Sequence, residues 1–536
     1  HQQNLVGIFG AKDLQIEGTG AAPSDVIFDA QFQKLNVIRA DRTNGIYLRN
    51  FTAQRSTFNA VYVIETDGFV IDHVVGRWDN EYGFLSFAAD HGLITNCEAY
   101  GNGDSGIYPG GTSDINRGRG FDVPRYAIEV TGCRSHDNAL GYSGTGGDSV
   151  WVHNNEFDHN STGASMDSLF PNHPGLPQNH ALFEHNLIHG NNSNYYPQVI
   201  DGTCARSFQL RGIEKGVVCP SVGVPVGAGV LVIGGNYDVF RENWVYDNWK
   251  VGFVQTWVPA LVRNDFRPSV QEQTSNFDRY IDNHMGSDLR GDAHPNGLDF
   301  FWDGQGTGSC WQTIHSAGTD PLSLPACSTG APGRILSDPS KLVMFFDCAN
   351  YDLPTQTLPL GCDWFDTPQR PGVLAVSFTA EAVAPVIQLL AVLLLFSWMV
   401  RRRTRLDALD VATAGAAVLA AVLLLVASIE QYWYLAPPGI ALLGIAWIAA
   451  ARLAPTQRLA VLSVLLGVAA LMESIDSAIL QLPVLIGPVW ARLVLEAAWI
   501  VWTVVALNTV PPRPIGDAGL GLRSEPSRAG IIATKN

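Results

Sequence analysis

Four residues on successive repeats of this chain carry the side chains that proton transfer needs: Asp104, Asp137, His159 and Asp167. Around them lie Tyr108, Arg125, His136, Asp148 and His173, whose rings, carboxylate and guanidinium suit substrate binding. Two carboxylates flanking a bond, about 5 to 9.5 Å apart according to stereochemistry, are what glycoside hydrolysis requires. Asp137 or Asp104, paired with Asp167 on a neighbouring coil, would meet that need. A lyase or uronate epimerase instead needs a base of suitable pKa and a cation that stabilises the enolate. Arg125 and Arg134 with the same aspartates would supply those groups.

Side chains so far apart in sequence need a rigid scaffold, and the repeats provide one. From Asn50 to Asn283 the chain repeats about every 22 to 23 residues, insertions aside. Ala60, Gly83, Gly106, Gly141, Gly163, Gly229 and Gly252 each open a coil with a short strand. A turn slot follows at Asn50, His73, Cys97, Cys133, Asn155, Asn186, Asn243 and Asn283, and a second at Asn80, Asn102, Asn138, Asn160, Asn191 and Asn248. Identical turn positions on stacked coils lie about 4.8 Å apart, so asparagine amides can bond up and down as a ladder. This period, with alternating polarity and no helical stretch, predicts an all-β parallel β-helix, a solenoid.

The third and fifth residues of each opening strand are expected to face outward. They are Tyr62 and Ile64, Leu85 and Phe87, Tyr108 and Gly110, Ser143 and Thr145, Ser165 and Asp167, and Leu231 and Ile233. The middle three pairs are small and polar, which singles out the central coils. Insertions at Gly111 to Tyr126 and Ser168 to Asn179 are expected to wall a cleft there. A second outward strip carries Glu98, Arg134, Glu156 and Trp244 beside Tyr100, His136, Asp158, His189 and Tyr246.

The register resembles the right-handed parallel β-helix of pectate-lyase-like proteins over residues 1–305. That resemblance implies the fold and an extended polymer, with carbohydrate the natural ligand class. It supplies no site residues. Phe69-Val70-Ile71-Asp72-His73 is similar to a Trp-Ile-Asp-His segment of pectate lyases, but His73 is expected to fill a ladder slot. The signature motifs of polygalacturonases and of mannuronan epimerases are absent.

The chain has 536 residues and a net charge of -16, which argues against nucleic acid as a partner. All eight cysteines fall between Cys97 and Cys362, a placement that suggests an oxidising compartment. Cys204 with Cys219, Cys310 with Cys327, and Cys348 with Cys362 would close short loops, while Cys97 and Cys133 stack as a disulfide or as a reduced pair. Asn50, Asn160 and Asn191 match the glycosylation triplet by chance, as ladder residues would. The chain begins at His1 inside a strand-like segment, so a signal peptide and at least one coil are expected upstream.

After Pro371 the composition turns apolar. About five transmembrane helices are predicted: Ala382 to Val400, Val411 to Ile429, Ile440 to Ala451, Leu459 to about Leu480, and Val489 to Leu507. Arg401–Arg403 and Arg405, Arg452 and Arg458, and Arg513, Arg523 and Arg528 mark the cytoplasmic sides. The expected organisation is a β-helix at 1–305, a cysteine-containing cap and linker at 306–370, membrane helices at 371–510 and a cytoplasmic tail at 511–536. The β-helix is then extracytoplasmic. Expected partners are the membrane and a polysaccharide or cell-surface glycan. No loop has a calcium-binding spacing, although acidic groups on rigid coils suit Ca²⁺ as an oxygen-ligated ion. Two further readings stand beside an enzyme: a non-catalytic glycan- or partner-binding surface protein, and an envelope-complex subunit that uses Glu473, Asp476 and Glu496.

Overall fold

The computed structural model describes residues 3–331, apart from several positions between 261 and 272 and residues 313–317. It also describes residues 364–371 and 498, and the helical segments Ala408–Ala427, Ala436–Ala451 and Gln457–Ile475. Among the described residues the β-helix comprises an eleven-stranded sheet and a seventeen-stranded sheet, and the strand pairs are parallel. In the first sheet each strand pairs with its equivalent one coil on: Val61, Phe84, Ile107, Tyr142, Ala164, Val230, Phe253 and Phe300 form one inward row. Pairing continues past residue 305, through Cys310–Gln312 and Thr319–Asp320.

The asparagine ladders form. Asn155, Asn186, Asn243 and Asn283 bond amide to amide at 2.9–3.1 Å, as do Asn102, Asn138, Asn160, Asn191, Asn248 and Asn296 at 2.9–3.2 Å. Each ladder residue but Asn296, which follows Pro295, comes after a corner residue of positive φ, such as Asn154 (53°) before Asn155 and His159 (55°) before Asn160. This offset corrects three sequence assignments. Asn50 and His73 are themselves corner residues, at φ 56° and 52°, and Phe51 and Val74 take the inward slots. Asn80 is displaced by Asp79, whose Oδ1 accepts from the Ser56 amide and whose amide donates to Asn102 Oδ1. Burial raises the Asp79 carboxyl well above its usual range, so it stays protonated in the column. Asn160 and Asn191 are wholly buried in the ladder, which excludes glycosylation there.

The glycine column has a steric cause. A Cβ on Gly163 would lie 2.6 Å from the Gly229 carbonyl oxygen and 2.8 Å from Asn191 Nδ2, and one on Gly83 would lie 2.6 Å from the Gly106 oxygen. Neither neighbour can retreat without breaking the stack. Gly163→Ala should cost about 1–3 kcal/mol, read as a lowered urea midpoint at unchanged m-value.

Disulfides join Cys97 to Cys133, Cys204 to Cys219 and Cys310 to Cys327; Cys348 and Cys362 lie outside the described residues. Three helices coincide with the second to fourth expected spans, and Gly444 and Gly467 meet where the last two cross. Among the described residues no helix is long and apolar enough to cross a membrane. The first span and nearly all of the fifth lie outside those residues, as do Asp476, Glu496 and the Glu473 side chain.

Candidate functional site

The outer face of the eleven-stranded sheet carries the expected columns in register: Tyr62, Leu85 and Tyr108 pair in sequence, as do Ser143, Ser165 and Leu231. Toward the C-terminal coils this face is sealed. Leu231, Ile233 and Val254 lie in an apolar cluster with Tyr196, Trp257, Trp364 and Phe365. The polar stretch is left between that plug and the tyrosines.

Asp167 ends the strand Thr162–Asp167 and is only 4% exposed. Its Oδ2 accepts from Thr145 Oγ1 (2.7 Å) and Ser165 Oγ (3.1 Å), and its Oδ1 from the Leu169 amide (3.3 Å). Burial raises its pKa despite these bonds. Asp104, 7% exposed, directly precedes the strand Ser105–Gly110. Burial, followed by the charges of Glu81 and Asp167, pushes it well above the usual carboxylate range. Tyr108 donates its hydroxyl proton to His173 Nε2 (2.8 Å) and lies 5.0 Å from the Tyr82 ring. His173 Nδ1 is 2.7 Å from the Pro174 carbonyl oxygen, which can only accept. Nδ1 therefore carries the proton, and burial lowers the ring's pKa, so the imidazole is neutral.

The sequence reading missed Glu81. Burial raises it to about 7, against a hydrogen bond from Ser221 Oγ at 3.4 Å. The signal was present: Glu81 precedes Gly83 by two positions, as Asp104 precedes Gly106, and the Asp104 amide bonds the Glu81 carbonyl at 2.9 Å. Ser221 had no periodic signal. It belongs to the insertion 192–227, which runs back along the coils, places Arg211 on Asn80 and Glu214 on Arg55, and holds the Cys204–Cys219 bridge.

Asp104, Asp167, Tyr108 and His173 are thus gathered with Glu81 and Tyr82, whereas the other five expected residues lie elsewhere. Asp137 and His159 are exposed corner residues that bond His136 (2.7 Å) and Asp158 (2.6 Å), because a positive φ at the corner turns the side chain outward. His136 lies on the seventeen-stranded sheet between Asp137 and Glu98. Burial opposes its charge, but those carboxylates outweigh it and hold the imidazole at about 9. Arg125 forms a two-bond ion pair with Asp90, at 2.7 and 2.8 Å. Asp148 is buried beneath a corner, accepting from the Asn179 amide at 2.6 Å. The two expected walls differ: His173 of the Ser168 to Asn179 loop stacks edge-on to Phe87, while Phe121 of the other loop packs against Tyr237 and Arg279.

The seventeen-stranded sheet carries an open groove of about 1000 Å³, bordered by His73, Glu98, Tyr100, Arg134, Glu156 and Trp244. Among the described residues no group of three or more His, Cys, Asp or Glu side chains is placed to hold a metal ion.

Residues 59–266 match the family described as "right handed beta helix region". The coils form a right-handed parallel β-helix. Similar solved structures include a periplasmic alginate epimerase (12% identity over 58% of this chain and 70% of that one, TM-score 0.34). Others are the A-module of an Azotobacter vinelandii mannuronan C-5 epimerase (13%, 57% and 76%, TM-score 0.26) and the DFA-IIIase of Arthrobacter chlorophenolicus A6 in complex with GF2 (13%, 61% and 67%, TM-score 0.30). No curated protein matches the chain.

The carboxyl cluster makes stability depend on pH. Glu81 has an unfolded value near 4.5 and a folded value of about 7, so the native state binds the extra proton between them. Its contribution is fully present below about 4.5 and is lost as pH rises through about 7. Thermal melts between pH 4 and 8 should show Tm falling across that window, and Glu81→Gln should flatten the fall.

Proposed function

We propose that this chain is a membrane-tethered, extracytoplasmic protein that hydrolyses a neutral polysaccharide on the outer face of the eleven-stranded sheet. The reading is carried by Glu81, Asp104 and Asp167, three carboxyls raised together beside Tyr82, Tyr108 and a neutral His173. Like charges in a desolvated strip cannot all ionise, so one acid stays protonated to donate while another is free to ionise and accept. Donation to a glycosidic oxygen and activation of the opposite face of the sugar follow from that division.

Lyase or epimerase chemistry on a uronate is the less favoured member of the class. Its enolate needs a cation, but Arg125 is committed to Asp90 and Arg134 to Asp158, both away from Asp167. The groups acting most strongly on Asp104 and Asp167 are carboxyls, hydroxyls, an amide and His173. A uronate carboxylate would meet repulsion here.

The tether rests on the apolar stretches after Pro371 and the alternation of their arginine clusters, which would place the C-terminus in the cytoplasm. The disulfides of the β-helix accord with the opposite side. The test is turnover by the detergent-solubilised full chain on neutral and uronate polysaccharides, following reducing ends and unsaturated-product absorbance separately. Reducing ends from a neutral polymer support the reading. Unsaturated products from a uronate would replace it with a lyase.

A further inference from the structure

The groove on the seventeen-stranded sheet is separate from the carboxyl strip, and catalysis on that strip makes no use of it. One of its columns runs in unbroken register through Thr52, Val75, Glu98, Arg134, Glu156, Leu187 and Trp244. Six strand spacings of about 4.8 Å make the trough about 29 Å long. That length suits a linear polymer.

Its charged groups are partnered from within. Glu98 is bonded by His136 Nε2 (3.2 Å), Arg134 forks onto Asp158 (3.0 and 2.7 Å), and Glu156 is bonded by His189 Nε2 (3.0 Å). The column therefore alternates acid, base, acid, with each group held in place by a neighbour. Such a row favours neither sign of ligand charge. It presents preoriented acceptors and donors, which a hydroxyl can satisfy in both senses. At one end Trp244 stacks on His284 of the next coil (4.3 Å, 8° between planes), with Leu187 in register on the coil before, and Trp244 and Leu187 both border the groove. An indole held between two coils gives the groove an apolar contact against which the C–H groups of a sugar can pack.

An extended peptide fits less well. Peptides add to sheets through open edges, and the strands along this trough are paired with the coils on either side.

We propose that this groove is a second, non-catalytic binding site for an unbranched neutral glycan, which keeps the polymer on the protein between encounters with the opposite sheet. The ligand class follows from the partnered charges of the column and the apolar contact of the indole. It does not depend on turnover at Asp167.

The experiment is affinity electrophoresis of the full-length chain in detergent, through gels containing soluble neutral β-glucan, mannan, xylan, alginate or polygalacturonate. Trp244→Ala and Glu156→Gln are run beside Asp167→Asn, and thermal melts check that each variant is folded. The expected result is retardation by at least one neutral polymer, weakened about tenfold or more in Trp244→Ala and Glu156→Gln and unchanged in Asp167→Asn. Turnover of a short oligosaccharide should remain in the two groove variants. Three results would overturn the proposal: no retardation by any neutral polymer, equal or stronger retardation by the uronates, or folded groove variants that bind as the parent does. Loss of turnover in Asp167→Asn alone bears on the catalytic reading and leaves the groove result intact.

Discussion

Asparagine at position 167 is expected to lower kcat on the productive polysaccharide by about two to four orders of magnitude, the usual contribution of a positioned general acid or base. The substitution keeps an oxygen for the Thr145 hydroxyl, which donates to Asp167 Oδ2 at 2.7 Å, so the strand end keeps that partner. Besides the ionisable proton, the change removes only the acceptor of the Leu169 amide, a long bond at 3.3 Å. KM should move little, because the hydroxyls and rings around the strip remain. Asp104→Asn is expected to behave in the same way, and the double variant should fall little below either single one, since residues acting as a unit are not additive. The pH profile supplies an independent check. Burial shifts Asp104 and Asp167 upward, the charges of Glu81 and Asp167 add to the shift of Asp104, and burial places Glu81 at about 7. The alkaline limb of kcat/KM should then lie well above the range of an ordinary carboxyl. Activity within threefold of the parent in both single variants would move the chemistry off this face.

The largest stability effect is expected at a position remote from that chemistry. Asn191 accepts from the Asn160 amide (3.2 Å) and Asn160 Nδ2 (3.1 Å), and donates to the Phe157 carbonyl (3.1 Å) and Asn248 Oδ1 (3.0 Å). Alanine there leaves the Asn160 amide and the Phe157 carbonyl buried without their ladder partner. At about 1–3 kcal/mol for each stranded group, Asn191→Ala should cost about 2–6 kcal/mol in urea unfolding. Asn154→Gly is the matched control. Asn154 is a corner residue at φ 53°, where glycine is at ease. A change there beyond about 1 kcal/mol, or one as large as that at Asn191, would mean that the ladder is not what holds the coils.

These two positions mark what could and could not be read from the residues alone. A solenoid coil touches mainly the coils before and after it, so every structural demand recurs at one period. The inward asparagine and the glycine with no room for a Cβ therefore stand out as columns in the sequence. The alternation along each opening strand likewise placed Tyr108, Ser165 and Asp167 on the outer face. The corners were harder. A residue of positive φ and the ladder residue after it are adjacent in sequence and often both polar, so Asn50 and His73 were assigned one place early and Asn80 one place late. Asp137 and His159 were read as corner residues near Asp167, and the positive φ at those corners turns their side chains to solvent instead.

Insertions carry no period, and their paths were decided by packing alone. The insertion 192–227 sets Ser221 on Glu81, and residues 364–371 bring Trp364 and Phe365 onto the sheet face that Leu231 and Ile233 would otherwise expose. Sequence by itself determined the parallel coil and its columns, because stacking energetics act between equivalent residues one repeat apart. Tertiary structure decided which acids lose their water together, because desolvation depends on what covers a residue, and here much of that cover comes from segments outside the repeat.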